Sequence, residues 1–153
     1  MVRLASIAEP VRGIMEKLPC PTFNTTPFVE APPASERRVA IISTAGLHRR
    51  DDRPFGLGSN DYRVIKGDVK ANDLLMSHVS TNFDRTGFQQ DLNVVFPLDR
   101  LREMAEQGEI ASVADYHYSF MGATEPEKME EAVRGLATLL KGDGVNAVLL
   151  VPV

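Results

Sequence analysis

The chain has 153 residues, of which 43% are hydrophobic, 25% charged and 7% aromatic, as is typical of one soluble globular domain with a buried core. Seventeen Lys and Arg against 21 Asp and Glu give a net charge of -4, so no basic excess favours binding to nucleic acid. The single cysteine, Cys20, excludes an internal disulfide, and no apolar run approaches the roughly 18 residues that span a membrane. The N-terminus lacks the long apolar stretch of a secretion signal, so we expect a cytoplasmic protein.

The first 37 residues differ in composition from the rest and are predicted to form a short helix and a Pro-rich N-terminal arm. Apolar residues recur at helical spacing and predict an amphipathic helix whose apolar face needs a docking surface; they are Ile7, Val11, Ile14, Met15 and Leu18. Proline supports neither a helix interior nor a strand ladder. The following stretch should therefore be irregular, since it contains Pro19, Pro21, Pro27, Pro32 and Pro33.

Residues 38–153 are predicted to form an α/β domain. The run from Val39 to Ser43 is short, apolar and rich in β-branched residues, which indicates a buried strand. A polar, charged loop is expected over residues 48–55, and two further strands are predicted over 62–65 and 74–79.

Two helices and a last strand complete the predicted domain. The segment 97–107 begins with proline, carries an apolar stripe and is followed by Gly108, which is typical of a helix. Thr124 and Glu127 have the spacing of a capping box and predict a second helix start. The run 145–151 is apolar at every position but Asn146, which suggests a central strand.

The order strand, helix, strand requires a right-handed crossover between parallel strands. We therefore expect a three-layer α/β/α domain with a mostly parallel sheet, flavodoxin-like or related. In such sheets ligands bind beyond the carboxyl ends of the strands. The last predicted strand ends near Val153, so the chain stops where such a site is expected.

The candidate site residues are polar side chains at predicted strand ends and loops: His48, His78, Asp84 and His117. Such groups could bind substrate, act as acid and base, or hydrogen-bond the loop backbone as structural histidines. Their spacing matches no metal signature, so no metal site is predicted. The phosphate-binding glycine motifs and the serine-hydrolase elbow G-x-S-x-G do not occur in the sequence.

Several longer segments resemble the glycine/sarcosine/betaine/D-proline reductase family, and in particular its selenocysteine-bearing B-type subunit. The resemblance covers about residues 38–153 and is carried by Ser43–His48, Asp61–Asp68, Ser77–His78, Gln90–Leu101, Gly108–Ala114 and Tyr118–Gly122. The phrase D-L-N-V-V-F-P-L-D-R-L, which begins at Asp91, is the most particular of these.

The resemblance implies reductive cleavage of a C–N bond in a small amino acid. In such reductases a pyruvoyl group on a partner subunit holds the amine substrate, and a selenolate attacks the α-carbon. The selenolate residue normally follows an apolar strand similar to 146–152, as the first member of a selenocysteine-x-x-cysteine-like pair. The resemblance therefore implies a selenocysteine just after Val153, at a codon that also serves as a stop, and no catalytic residue within residues 1–153.

Three interpretations follow. The chain is a reductase subunit or its N-terminal part, which would be inactive alone because it lacks a soft nucleophile. Alternatively it is a non-catalytic α/β module that binds a small ligand, or a metal-dependent hydrolase that uses the three histidines and Asp84. An uncovered terminal strand would favour a homo-oligomer.

Overall fold

The computed structural model describes residues 3–17, 22, 24–26, 29–80 and 85–153. The strands are β1 Arg38–Ser43, β2 Leu47–Arg49, β3 Arg63–Lys66, β4 Leu74–Met76, β5 Ser112–Val113, β6 Tyr116–Ser119 and β7 Ala147–Val151. The helices are α1 Val11–Met15, α2 Thr86–Gln90, α3 Leu98–Glu106 and α4 Glu130–Gly142, and short 3-10 turns lie between several of these elements. None of the helices in this part of the chain is long and apolar enough to cross a membrane.

A mostly parallel sheet forms the centre of the fold, with β1 as its organising strand. Parallel partners of β1 are β5 at its first residues, β6 at its last residues and β7 along nearly its whole length. β3 adds to the far edge of β6 in the antiparallel direction. The mixed, mostly parallel sheet with helices agrees with the predicted α/β class.

The two faces of the sheet are covered by different helices. Because side chains alternate along a strand, Val39 and Ile41 share one face, where they cluster with Leu98 and Leu101 of α3. Ile42 points to the other face and joins the cluster around Leu136 of α4. Helices on opposite faces are the expected result of right-handed crossovers that run in opposite directions from a central strand.

The predicted strand over 74–79 folds differently from the expectation. Leu74–Met76 forms β4 in a separate two-stranded antiparallel sheet, and the remainder of the predicted strand, including His78, leaves it. Its partner β2 lies at the start of a segment predicted to be a polar loop. Leu47 is fully buried there, and this single apolar position between polar neighbours carries too weak a pattern to be recognised as a strand.

The last strand, β7, is not central. Among the described residues it pairs with β1 alone, and Val148, Leu149 and Leu150 are at least partly exposed. The prediction of a central strand, made from its apolar composition, was therefore wrong for the residues that the structure describes.

The two helix starts had different outcomes. α3 begins after Pro97, and Asn93 Oδ1 accepts a hydrogen bond from the backbone N–H of Asp99 at 3.1 Å, which caps the first turn. The prediction of a capping box at Thr124 was wrong, because the Thr124 hydroxyl donates to the backbone oxygen of Ser59 at 2.7 Å instead. A 3-10 turn over Pro126–Met129 precedes α4.

The predicted N-terminal helix is present as the five-residue α1, but none of the described residues provides a docking surface for its apolar face. Val11, Ile14 and Met15 are exposed, with Ile14 at 63%. Several predictions lie outside the described residues, namely those on Leu18, Pro19, Cys20, Pro21, Pro27 and Asp84.

Candidate functional site

The loops that follow β1, β6 and β7 meet at the carboxyl edge of the parallel strands. The backbone N–H of Gly46 donates to the backbone oxygen of Phe120 at 2.9 Å, and the backbone N–H of Gly122 donates to the backbone oxygen of Thr44 at 2.8 Å. After β1 the chain reaches α3 on one face before it enters β5 and β6, and after β6 it reaches α4 on the other face, so a topological switch point lies between β1 and β6. Ligand sites in open α/β sheets form at such points.

Thr44 fixes the backbone at Val153. Its hydroxyl accepts a hydrogen bond from the Val153 N–H at 2.8 Å and lies 3.2 Å from the Val153 backbone oxygen, to which it can donate. The Thr44 N–H also donates to the backbone oxygen of Val151 at 3.0 Å. The loop after β1 therefore holds the end of β7 in one position.

Gly122 makes room for this arrangement. A β-carbon at Gly122 would overlap the backbone oxygen of Val153, would lie 2.9 Å from that of Thr44 and would be 3.1 Å from His78 Nε2. The first two neighbours are backbone atoms that cannot move aside cheaply. The absence of a side chain at this position therefore allows three strand ends and one imidazole to converge.

His78 is the predicted site residue that the structure brings to this edge. Its ring is buried, and Nδ1 accepts a hydrogen bond from the Ser80 N–H at 3.2 Å, so the proton of the neutral ring is on Nε2. Burial lowers the pKa of His78, and the charge of Arg85 lowers it further. At neutral pH the ring is thus neutral, with its Nε2–H beside Gly122.

Gly46 places His78. The glycine has a φ of 66°, and a β-carbon on it would lie 3.0 Å from the backbone nitrogen of His78. The Ser77 N–H donates to the Gly46 oxygen at 3.0 Å. A positive φ and a close backbone approach both require glycine here, and together they attach the His78 segment to the loop after β1.

His117 lies within the sheet, not at its edge. Its Nδ1 accepts a hydrogen bond from the Ile41 N–H at 2.9 Å, where β5 has ended and β6 has just begun. The ring is fully buried and packs at right angles to the Phe96 ring, with centroids 5.6 Å apart. Burial, with a smaller effect of Arg102, lowers the pKa of His117 to about 4.

His48 lies in the two-stranded sheet, opposite Leu75 of β4. Its Nδ1 is 2.8 Å from the backbone oxygen of Arg49, which can only accept, so Nδ1 donates. The three imidazoles therefore bond three different backbone groups. Within residues 3–17, 22, 24–26, 29–80 and 85–153, no group of three or more His, Cys, Asp or Glu residues is placed to hold a metal ion.

Three residues of this edge were absent from the predicted site: Thr44, Gly46 and Gly122. Thr44 and Gly46 follow the predicted strand 39–43, where a glycine at a strand end is the available signal, whereas no strand was predicted before Gly122. Their importance arises from contacts between segments that are distant in sequence, and no local pattern reveals such contacts.

A second cleft opens at the opposite edge of the sheet, beside Lys66, Asp68, Arg102 and Asp115. Arg102 donates to Asp99 at 2.7 Å and to the backbone oxygen of Gly67 at 2.6 Å. Its guanidinium thus anchors α3 to the turn after β3. The amino ends of parallel strands are also the side on which ligand sites are seldom formed in such folds.

Taken together, these features define a mostly parallel α/β domain with a candidate ligand site where three strand ends meet at the carboxyl edge of its sheet. The profile of the family "Glycine/sarcosine/betaine reductase selenoprotein B" matches residues 16–153, and the chain belongs to this family. The predicted family is therefore confirmed. No solved structure matches the chain.

Curated relatives agree with this assignment. The chain is 36% identical over 146 residues to the D-proline reductase subunit gamma of Acetoanaerobium sticklandii, covering 92% of this chain and 59% of the relative. It is 28% identical over 140 residues to the glycine reductase complex component B subunit gamma of Carboxydothermus hydrogenoformans, covering 88% of this chain and 32% of that relative. It is 30% identical over 140 residues to the sarcosine reductase complex component B subunit beta of Peptoclostridium acidaminophilum, covering 86% and 32%. The chain thus spans about three fifths of one relative and about one third of the others.

Proposed function

We propose that this chain is the substrate-site part of an amino-acid reductase subunit that cleaves a C–N bond reductively. The observation that carries the proposal is that Thr44 bonds the backbone of Val153, while the Val153 oxygen and His78 Nε2 both lie next to Gly122. Membership of a selenoprotein reductase family supports a chemical role for this edge, because Val153, which would precede the nucleophile, lies next to Gly122, as does His78 Nε2.

The proposed nucleophile is a selenocysteine or cysteine directly after Val153, encoded by the continuation of the gene. A selenolate or thiolate is a soft anion, and it attacks carbon efficiently when it and the substrate are held in position. The neutral His78 ring offers its Nε2–H at this place, and Thr44 fixes the preceding peptide. Thr44 would position the attacking atom, and the His78 N–H would bind the carboxylate of the substrate beside it.

The proposed reaction forms a bond between selenium or sulfur and the α-carbon and breaks the C–N bond, whose electron pair leaves with the amine. A pyruvoyl group on a partner subunit would activate that amine when it is bound. A dithiol is then required to supply two electrons and release the reduced product. The residues of this chain would bind the carboxylate of the amino acid and orient the attacking atom.

D-Proline is the first substrate to test, because the chain matches the D-proline reductase subunit with the highest identity of the relatives reported above and covers the largest share of it. Glycine, sarcosine and betaine are the alternatives suggested by the other relatives and the family. Asp84 stays a predicted contributor to the substrate site.

The experiment begins with the gene. DNA beyond the codon of Val153 is sequenced, and the read-through protein is produced with selenocysteine or cysteine at the next position. It is combined with the pyruvoyl-containing product of a neighbouring gene and assayed for reduction of D-proline with a dithiol. Activity that disappears when this residue is changed to serine is the expected result.

Two outcomes would contradict the proposal. One is the lack of an in-frame selenocysteine or cysteine codon close behind Val153. The other is full activity of the serine variant. Binding of D-proline by the protein with no turnover of any of the four amino acids would favour the non-catalytic binding module instead.

A further inference from the structure

The outer side of β7 is an apolar surface that the described residues do not cover. Val148 is 39% exposed, Leu149 36% and Leu150 68%, and these three large aliphatic side chains are consecutive. The strand pairs with β1 on one edge, and among the described residues nothing pairs with its other edge. An exposed, apolar edge strand promotes aggregation, and natural proteins normally protect it.

The register shows which face each side chain belongs to. Val148 lies beside Ala40 and Leu150 beside Ile42, so both share the face on which α4 packs. Leu149 lies beside Ile41, on the face covered by α3. The more exposed pair is therefore on the α4 face, since α4 covers β6 and β1 but leaves much of β7 bare.

The handedness of crossovers predicts which elements would cover the free edge of β7. The chain passes from β6 over β1 to β7 with α4 on one face. A right-handed crossover that continued in the same direction would place its helix on that same face and its strand on the free edge of β7. Such a helix would cover Val148 and Leu150, the two side chains on that face.

The relatives contain additional polypeptide that could form this strand and helix. At least 86% of this chain aligns with each of the three relatives described above, yet it accounts for only 59%, 32% and 32% of their lengths. They therefore contain polypeptide that this chain does not. We propose that, in the full-length subunit, polypeptide beyond Val153 adds a parallel strand to the free edge of β7 and a helix over Val148 and Leu150.

This inference goes beyond the proposed function, because it concerns how the sheet is completed and holds whether or not the subunit is catalytic. A second copy of the chain and a separate partner subunit are the other occupants to be distinguished. Either of them would cover β7 in a manner that depends on protein concentration or on the partner, whereas an intramolecular strand would not.

The test compares residues 1–153 with the read-through product, carrying serine at the position after Val153 so that reductase chemistry plays no part. Amide hydrogen exchange over Ala147–Val151 is measured for both at several concentrations. We expect the exchange rates of this strand to fall at least tenfold, by about 1.4 kcal/mol or more in opening free energy, in the longer protein at every concentration.

Leu150→Glu and Leu139→Glu form a matched pair. Leu139 is 47% exposed on α4 and lines the groove toward Val64 and Tyr116, away from β7. Leu150→Glu should lower the melting temperature of the longer protein by about 5 °C more than that of residues 1–153, because only the longer protein buries the new carboxylate. Leu139→Glu should change both proteins equally.

Three results would overturn the inference. The gene could end at Val153, or Leu150→Glu could have the same effect in both proteins. Protection of β7 could also appear only as the concentration of either protein rises, or only when the partner subunit is added, which would identify the occupant as a second copy or as the partner. None of these results depends on reductase activity.

Discussion

The His117 imidazole replaces a missing rung of the sheet, because its Nδ1 accepts the Ile41 N–H at 2.9 Å. On the same edge of β1, the Val39 oxygen accepts from Ala114 and the Ser43 oxygen from Phe120, both through ordinary backbone bonds. Between these two, the chain passes from β5 to β6 and offers no backbone acceptor for Ile41. The ring fills that gap within the core.

This relationship predicts that a hydrogen-bond acceptor matters more at position 117 than apolar surface. Asn and Leu have similar shapes, but only Asn can place an oxygen near the position of Nδ1. We expect His117→Asn to be more stable than His117→Leu by about 1–2 kcal/mol, since Leu leaves the Ile41 N–H unsatisfied. Urea unfolding followed by circular dichroism measures the difference. Equal stability, or a more stable Leu variant, would contradict the role of the bond.

Stability should fall in mild acid because of the same ring. The pKa of His117 is about 4 in the folded protein and near 6.5 when unfolded, so the unfolded chain binds more protons between these values. The free energy of unfolding therefore decreases as the pH falls from about 6.5 toward 4, by about 3 kcal/mol at most. Urea unfolding at pH 7 and pH 4.5 tests this, with His117→Asn as the control that should lose less. Parallel losses in both proteins would show that other groups cause the acid sensitivity.

Gly122→Ala is expected to disturb the edge where the strand ends meet. The new β-carbon would overlap the Val153 backbone oxygen and approach that of Thr44 to 2.9 Å. We expect a melting temperature lower by about 5 °C and faster hydrogen exchange at the end of β7. The matched control is Gly135→Ala on α4, where a β-carbon meets no atom within 4 Å and should stabilise the helix. A Gly122→Ala protein as stable as the wild type would remove the argument for a close approach.

His78→Ala should weaken the binding of a small amino acid while leaving the fold intact, if the ring donates to the carboxylate of the substrate. We expect the Kd for D-proline to rise about tenfold, which corresponds to about 1.4 kcal/mol. The melting temperature should stay within about 2 °C. Calorimetric titration and a thermal melt measure the two effects, with His48→Ala as the control that keeps its affinity. Loss of stability in proportion to loss of affinity would identify His78 as structural.

The sequence predicted best where a local pattern is sufficient. The helix after Pro97 and the strand from Val39 to Ser43 were recognised because spacing and β-branching report directly on burial. The strand at Leu47 was not predicted, because a single apolar residue does not form a periodic pattern. Thr124 misled because its hydroxyl donates across 65 residues to Ser59, and a tertiary partner overrides a local cap.

The sequence indicated an edge of the sheet for the candidate site, but it did not identify most of the residues that meet there. The rule that ligands bind beyond the carboxyl ends of parallel strands pointed to the edge where Thr44, Gly122 and Val153 meet, and His78 lies beside them. Thr44, Gly46 and Gly122 could not be chosen, since their roles depend on contacts between loops far apart in the chain. His117 has the same residue type as His78 but bonds the interior of the sheet.

The pairing of β1 has a consequence for biosynthesis. Arg38 finds its first parallel partner at Ser112, and Ile42 pairs with Leu150, so β1 is synthesised long before either neighbour exists. During translation both of its edges stay bare, and closure of such distant loops is slow. The nascent chain should therefore depend on chaperone protection until β6 and β7 emerge, and expression hosts rich in such chaperones should yield more folded protein.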